Sequence, residues 1–92
     1  MKDPRYANLA KVLVRHSCQV RPGEKVLIEA FEIPPDFTTE LIRTVAAAGG
    51  EPIVATYHQT VLRALYSAAT ETQRKFIADV EAQRMACVHC YI

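Results

Sequence analysis

The chain has 92 residues and a net charge of +1, and half of its residues are hydrophobic. This length fits one small domain, and the hydrophobic fraction is well above that of a disordered segment. The nearly balanced charge, without a run of basic residues, argues against a nucleic-acid-binding protein. No stretch approaches the roughly 18 apolar residues of a membrane span, and residues 1–5 do not lead into a signal peptide. We therefore expect a cytoplasmic protein that contacts neither nucleic acid nor a membrane.

The first third of the chain predicts a helix, a turn and a strand. Asp3 is a suitable N-cap and Pro4 suits the first helical position. Helical spacing places five residues on one apolar stripe: Tyr6, Leu9, Leu13, His16 and Val20. Pro22-Gly23-Glu24 predicts a turn, and residues 25–30 predict a strand. The three consecutive apolar residues of that strand indicate burial on both faces, as in a parallel sheet.

A second helix and a second strand follow. The helix opens at residues 34–36 and ends at Gly49-Gly50, because glycine tolerates the left-handed conformation that follows a helix. Its predicted apolar stripe consists of Phe37, Leu41, Val45 and Ala48. Residues 52–57 are rich in β-branched and aromatic side chains and predict the second strand.

The remainder of the chain predicts two helices and a third strand. A short helix covers residues 59–66, and a capping box from Thr70 to Gln73 opens a longer helix that ends near Arg84. Residues 85–92 predict a buried strand. The order α-β-α-β-α-α-β indicates a three-layer α/β fold with an open, mostly parallel sheet. A central strand with nothing after it leaves an uncovered edge, so we expect residues 1–92 to be an N-terminal fragment, truncated after the third strand.

Ligands of open parallel sheets usually bind beyond the carboxyl ends of the strands. Here those ends carry residues 31–33 and 57–59, and neither segment is a glycine-rich phosphate loop. Glu32 and His58 meet at this edge in the predicted topology, and such a pair can bind a metal or transfer a proton. An exposed loop histidine and a solvated carboxylate are the favoured interpretation.

The cysteines and the other histidines favour structural roles. The three cysteines have no disulfide-framework spacing, and we expect reduced thiols. Alternation along the last strand places Cys87 and His89 on one face and Cys90 on the other, which leaves too few ligands for zinc. We expect His16 to be partly buried, and the helix C-terminus near Cys18 disfavours a thiolate. The sequence therefore predicts no catalytic, cofactor-binding or metal-binding residue.

Several segments, in this order, carry a resemblance to a known family. They are residues 3–14, the turn and strand Val20-Arg21-Pro22-Gly23-Glu24-Lys25-Val26-Leu27-Ile28-Glu29, the helix end Ala47-Ala48-Gly49-Gly50, the strand Glu51-Pro52-Ile53-Val54, and residues 70–92. With this spacing, the chain resembles the N-terminal domain of the thermophilic-type metallo-aminopeptidases. The bacterial members of that family are called aminopeptidase T, aminopeptidase S and PepS.

The resemblance implies a scaffold rather than a catalyst. Family members are hydrolases that remove N-terminal residues from peptides with a pair of divalent ions, such as cobalt or zinc. Their Glu, Glu, His, Tyr, His and Asp ligands lie in a C-terminal domain, and none of those motifs occurs in this sequence. The resemblance implies that residues 1–92 support the catalytic domain of the same chain and contribute to the chamber of a homodimer. Alone, the chain is predicted to be inactive.

Two other interpretations stay open. The same scaffold resembles that of ring-opening dihydroxypyridine dioxygenases, which differ from the peptidases in the metal ligands of the C-terminal domain. Alternatively, the chain is a standalone α/β dimerisation or binding module whose terminal strand pairs with another copy, because a free strand edge favours association.

Overall fold

The structure, a computed structural model, describes residues 3–92. These residues form four α-helices: α1 (Pro4–Lys11), α2 (Pro35–Ala47), α3 (Gln59–Ala68) and α4 (Glu71–Ala86). A π-helical segment, Val12–Ser17, continues α1. The three strands are β1 (Lys25–Phe31), β2 (Glu51–Tyr57) and β3 (Cys90–Tyr91).

The three strands form one open sheet in which all neighbours are parallel. Their order is β2-β1-β3, and Leu27 of β1 lies opposite Ile53 of β2 and Tyr91 of β3. β2 lies on one side of β1, and the next strand in the sequence, β3, lies on the other side. The connection from β2 to β3 therefore crosses β1 in the direction opposite to the connection from β1 to β2. With crossovers of the usual hand, this reversal places α2 on one face of the sheet and the α3–α4 pair on the other. The predicted α/β fold with an open parallel sheet is confirmed.

The hydrophobic core lies between the sheet and the first two helices. Its buried members come from α1, the π-helical segment, β1 and α2: Ala10, Val14, Val26, Ile28, Leu41 and Val45. Leu27 points to the opposite face of the sheet and is also fully buried. β1 is therefore covered on both sides, as its apolar run predicts. Burial of each large aliphatic side chain contributes about 1.5–3 kcal/mol relative to exposure.

The stripe predicted for the first helix is partly wrong. Ala10 and Val14 face the core, whereas Leu9 is 47% exposed and His16 is exposed. The Cys18 amide donates to the Leu13 carbonyl at 2.9 Å, a five-residue spacing that widens the last turns. A widened turn rotates the following side chains away from the positions that a regular period assigns. The small Ala10 side chain also permits close approach between α1 and its neighbours.

The strand predicted over residues 85–92 is much shorter in the structure. Helix α4 continues through Ala86, Cys87 ends it, and only Cys90–Tyr91 form strand. The predicted alternation of Cys87 and His89 on one strand face is therefore wrong. A short apolar run is ambiguous between helix and strand, and here the run continues a helix that is already formed. Within the described residues, β3 lies at a sheet edge and β1 is the central strand.

The second helical layer packs loosely on the sheet. No residue of α3 or α4 is buried, and Val61 and Phe76 are 63% and 66% exposed. The radius of gyration is 15.0 Å, whereas a compact domain of this length has a value of about 12 Å. The molecule is correspondingly flat, with extents of 42 × 30 × 16 Å.

Candidate functional site

A cavity of about 360 Å³ opens at the carboxyl ends of β1 and β2. Its walls come from both strand ends, the loop after β1 and the first turns of α2: Ala30, Glu32, Ile33, Pro35, Thr38, Thr39, Thr56, Tyr57 and His58. This is the edge at which open parallel sheets usually bind ligands. The candidate site is therefore where the strand order of the sequence places it.

Glu32 and His58 come together at this edge, as the topology predicts. His58 Nδ1 lies 4.0 Å from Glu32 Oε1, and the two side chains are 74% and 49% exposed. The same Glu32 oxygen accepts a hydrogen bond from the Gln59 amide at 3.1 Å. Gln59 is the first residue of α3, so the carboxylate caps that helix, where negative charge is stabilising. We therefore interpret Glu32 as a helix cap with an exposed histidine, His58, beside it, rather than as half of a catalytic dyad.

The backbone holds Glu32 in an uncommon conformation. Its φ is +53°, in the left-handed region that few residues other than glycine, asparagine and aspartate adopt. The Glu32 amide donates to the Tyr57 carbonyl at 3.2 Å, which ties the loop after β1 to the end of β2. This turn directs the side chain across the sheet edge towards α3.

Two threonines add hydroxyl groups to the cavity. Thr38 is 8% exposed and lines the wall formed by α2, and Thr56 lines the wall formed by β2. The neighbouring Thr39 hydroxyl instead donates to the Pro35 carbonyl at 2.9 Å. With one carboxylate, one imidazole and these hydroxyls, the cavity can bind a small polar molecule. Within residues 3–92, no three His, Cys, Asp or Glu side chains are grouped as metal ligands.

A second polar cluster lies on the sheet face beneath α4, and sequence reasoning missed it. Glu29 of the central strand lies near the phenols of Tyr57 and Tyr91, close enough for its carboxylate to raise the pKa of both. Arg84 of α4 donates to the Tyr57 hydroxyl at 3.0 Å. Burial, followed by the Glu29 carboxylate, raises the pKa of Tyr57, and the Glu29 carboxylate, followed by burial, raises the pKa of Tyr91. The cluster attaches α4 to the sheet.

One signal could have found this cluster. Glu29 is the single carboxylate of β1 and lies between apolar residues, and a charge there needs polar partners. The partners were not predictable, because their positions depend on the register of three strands. Tyr57 also stacks on Phe31, with ring centroids 4.8 Å apart. A cavity of about 330 Å³ separates these rings from Leu62, Tyr66 and Glu81 of the second helical layer.

The remaining candidates are dispersed. His89 Nδ1 accepts a hydrogen bond from the Lys25 amide at 3.1 Å. This imidazole therefore provides a hydrogen-bond partner for the first amide of β1. Cys87 is exposed in the turn after α4. Cys18 and Cys90 lie close together, and burial, followed by the nearby Cys90 thiol, raises the pKa of Cys18 to about 11. The prediction that Cys18 is disfavoured as a thiolate agrees with this direction.

A comparison of the chain with models of known protein families finds no match, and neither does a comparison with curated protein sequences. The fold and the site geometry place the chain in the class of open parallel α/β domains. Within residues 3–92, no helix has both the length and the apolar character that a membrane crossing requires.

Proposed function

We propose that the chain is the N-terminal, non-catalytic α/β domain of a cytoplasmic, metal-dependent aminopeptidase that removes N-terminal residues from peptides. One observation carries the proposal beyond the resemblance itself. The two segments with the most characteristic residues, the turn before β1 and the glycine end of α2, contact each other. The Gly23 amide donates to the Gly49 carbonyl at 2.8 Å, and the Glu51 amide donates to the Glu24 carbonyl at 2.7 Å. Segments that are separate in sequence thus form one structural unit.

The glycines of this unit have the conformations that the pattern needs. Gly23 and Gly49 have φ values of +83° and +86°, which side chains with a Cβ rarely adopt. At Gly50, an added Cβ would lie 2.8 Å from Val20 Cγ1 and 2.9 Å from Val45 Cγ1. The residue pattern is therefore a packing requirement of the corner between the first helix, β1 and β2. This supports the proposal at these positions, where the residues that carry the resemblance have a structural role in the fold.

We assign the chemistry to the catalytic domain of the parent protein. Two-metal hydrolysis uses ions that polarise the scissile carbonyl and generate hydroxide, and it needs several ligands with supporting hydrogen bonds. Glu32 and His58 offer two ligating groups, and the Glu32 carboxylate already caps α3. In this proposal, the cobalt or zinc pair is held by ligands of the C-terminal catalytic domain. The role of this domain is to support that site and the chamber of the homodimer.

The outer helical layer, α3 and α4, leaves hydrophobic side chains exposed. It exposes six large hydrophobic side chains, each between 40% and 66% accessible: Val61, Leu65, Tyr66, Phe76, Val80 and Met85. We propose that the catalytic domain of the same chain covers this face. Its contact would complete the loosely packed layer and reduce the apolar surface in water.

The first experiment is to sequence the source transcript past the codon for Ile92. We expect an open frame that supplies Glu, His, Tyr and Asp ligands in the family's pattern. The encoded full-length protein, loaded with cobalt or zinc, should then release N-terminal residues from peptides, and a chelator should stop the release. Peptide hydrolysis by a highly purified, metal-loaded 1–92 chain, abolished by a chelator, would contradict the non-catalytic role.

The same experiment tests the other two functions. If the full-length protein consumes oxygen with a dihydroxypyridine and does not cleave peptides, the scaffold belongs to the dioxygenase relatives. If a stop codon follows Ile92, the chain is a standalone module, for which the exposed apolar face of α3 and α4 favours association. Sedimentation of the 1–92 chain over a concentration series would then show reversible dimerisation.

A further inference from the structure

Two cysteines that are distant in sequence meet at one edge of the sheet. Cys18 follows the π-helical segment, and Cys90 is the first residue of β3. The Cys18 Sγ donates to the Tyr91 carbonyl at 3.7 Å, and the Cys90 Sγ donates to the Cys18 carbonyl at 4.0 Å, across a separation of 72 positions. The Cys90 thiol is also close enough to contribute to the raised pKa of Cys18. Each sulfur therefore contacts the backbone of the partner segment, which brings the two cysteines into the same neighbourhood.

We propose that Cys18 and Cys90 are a redox-sensitive pair that forms an internal disulfide by exchange with a low-molecular-weight disulfide such as oxidised glutathione. In the first step, one thiolate attacks a sulfur of that disulfide, forms a mixed disulfide and releases one small thiolate. In the second step, the other cysteine, as its thiolate, attacks the mixed disulfide at the protein sulfur and releases the second small thiolate. The two protein thiols lose two protons and two electrons, and the disulfide is reduced to two small thiols.

The position of the pair gives the bond a structural effect. β3 is only two residues long, and in the described residues it pairs with β1 alone. A disulfide would join this edge strand covalently to the end of the first helical segment. In the reduced protein, weak thiol hydrogen bonds connect them instead. The state of the edge strand would thus depend on the redox potential around the protein.

The local backbone and the surroundings suit such a bond. Both cysteines are partly accessible to a small disulfide, and both lie at segment ends rather than within a helix or a long strand. Gln19, directly after Cys18, has a φ of +51° and ends the helical path there. Transient disulfides of this kind occur in reducing compartments, where they act as sensors. The high pKa of Cys18 slows exchange at neutral pH, because the thiolate is the attacking species.

Cys87 provides a matched control. It lies three positions before Cys90, but it is exposed in the turn after α4. Reactivity that depends only on exposure would therefore favour Cys87, whereas the proposed pairing requires Cys90. A digest of the wild-type protein alone cannot separate them, because trypsin leaves both in the peptide of residues 85–92.

The experiment compares the wild-type chain with Cys18→Ser, Cys87→Ser and Cys90→Ser variants. Each protein is incubated with a series of reduced and oxidised glutathione mixtures, alkylated under native conditions and digested with trypsin. Trypsin does not cleave before Pro22, so Cys18 is recovered in residues 16–25. Mass spectrometry then measures the cross-linked peptide, and circular dichroism of each variant verifies that it is folded.

We expect a cross-link between residues 16–25 and 85–92 in the wild-type protein and in Cys87→Ser, with the loss of two hydrogen atoms from the intact chain. The cross-link should be absent from Cys18→Ser and Cys90→Ser, which should carry glutathione on the remaining pair member. Reduction with a phosphine should reverse it. A cross-link that persists in Cys90→Ser and is lost in Cys87→Ser would overturn the proposal. Wild-type protein that carries only glutathione adducts, or only intermolecular disulfides, would overturn it as well.

Discussion

Gly23 and Gly49 share almost the same left-handed backbone conformation, but their surroundings differ. An added Cβ at Gly49 would lie 3.0 Å from Pro22 Cα and 3.1 Å from Pro22 Cβ, whereas one at Gly23 would meet no atom within 4 Å. The left-handed conformation costs a residue with a Cβ about 1–2 kcal/mol at either position. Only at Gly49 is there also a steric contact with the backbone of the neighbouring turn.

The two glycines therefore give a matched pair of substitutions. We expect Gly23→Ala to lower the free energy of unfolding by about 1 kcal/mol, from the backbone conformation alone. Gly49→Ala should cost more, because the methyl group also displaces the turn at Pro22. Urea titration of both variants measures the difference. Equal losses would show that the contact between the turn and the end of α2 relaxes without cost.

Cys18 should make folding stability depend on pH in the alkaline range. Burial and the Cys90 thiol raise its pKa from the ordinary 9.0 to about 11 in the folded protein, so the folded state holds the proton more tightly than the unfolded state does. The stabilisation is complete below pH 9 and is lost as the pH rises towards 11.

This dependence is measured as the difference in unfolding free energy between wild-type and Cys18→Ser proteins from pH 8 to pH 11, with a phosphine reductant present throughout. We expect the advantage of the wild-type protein to shrink as the pH rises. Cys87→Ser, at an exposed position, should keep the wild-type slope. A constant difference between wild-type and Cys18→Ser would contradict the raised pKa.

At the scale of the elements, α4 depends on its cap because it is not anchored by a buried side chain. The Thr70 hydroxyl accepts a hydrogen bond from the Gln73 amide at 3.1 Å, as the capping pattern in the sequence predicts. A Thr→Ala substitution at such a cap typically costs about 1 kcal/mol. In a helix with so few tertiary contacts, that loss should appear as local opening rather than as global unfolding.

We therefore expect Thr70→Ala to accelerate amide hydrogen exchange in the first turns of α4 and to leave β1 unchanged. Thr72→Ala is the control, because it removes the same hydroxyl from an exposed position inside the helix, where alanine is the better helix former. Faster exchange in both variants would indicate that the helix end frays regardless of the cap.

Secondary structure was most predictable where local patterns coincide with packing. Helix α2 ends at the predicted glycines, and β1 is buried on both faces as its apolar run predicts. The π-helical segment and the short β3 were not predictable. The first depends on how the helix end packs, and the second depends on whether an apolar run continues α4 or joins the sheet.

At the scale of the whole molecule, the two helical layers differ in how firmly they hold the sheet. α1 and α2 enclose the core, whereas α3 and α4 contribute no buried residue. The flat shape follows from this asymmetry. A covalent bond between distant segments should therefore have a large effect on the stability of the fold. Cys18 and Cys90 are close enough to provide such a bond.

If the disulfide forms, it should stabilise the fold by about 4 kcal/mol, because it closes a loop of roughly 70 residues in the unfolded chain. Guanidinium unfolding of the oxidised and reduced wild-type protein measures this difference. Cys90→Ser should show the same stability under both conditions, and Cys87→Ser should respond as the wild-type protein does. A stabilisation near zero would indicate that forming the bond strains the native edge strand.

The sequence by itself determined the order of helices and strands, the turn at Gly23, the end of α2 and the cap of α4, because each depends on residues close together in the chain. It also located the candidate site at the strand ends, since parallel strands bring their carboxyl ends to one edge. The tertiary structure alone decided that Glu32 caps α3, that Glu29 lies among tyrosines, and that Cys18 meets Cys90. These contacts join residues at least 27 positions apart, so they depend on strand register and packing, which no local pattern encodes.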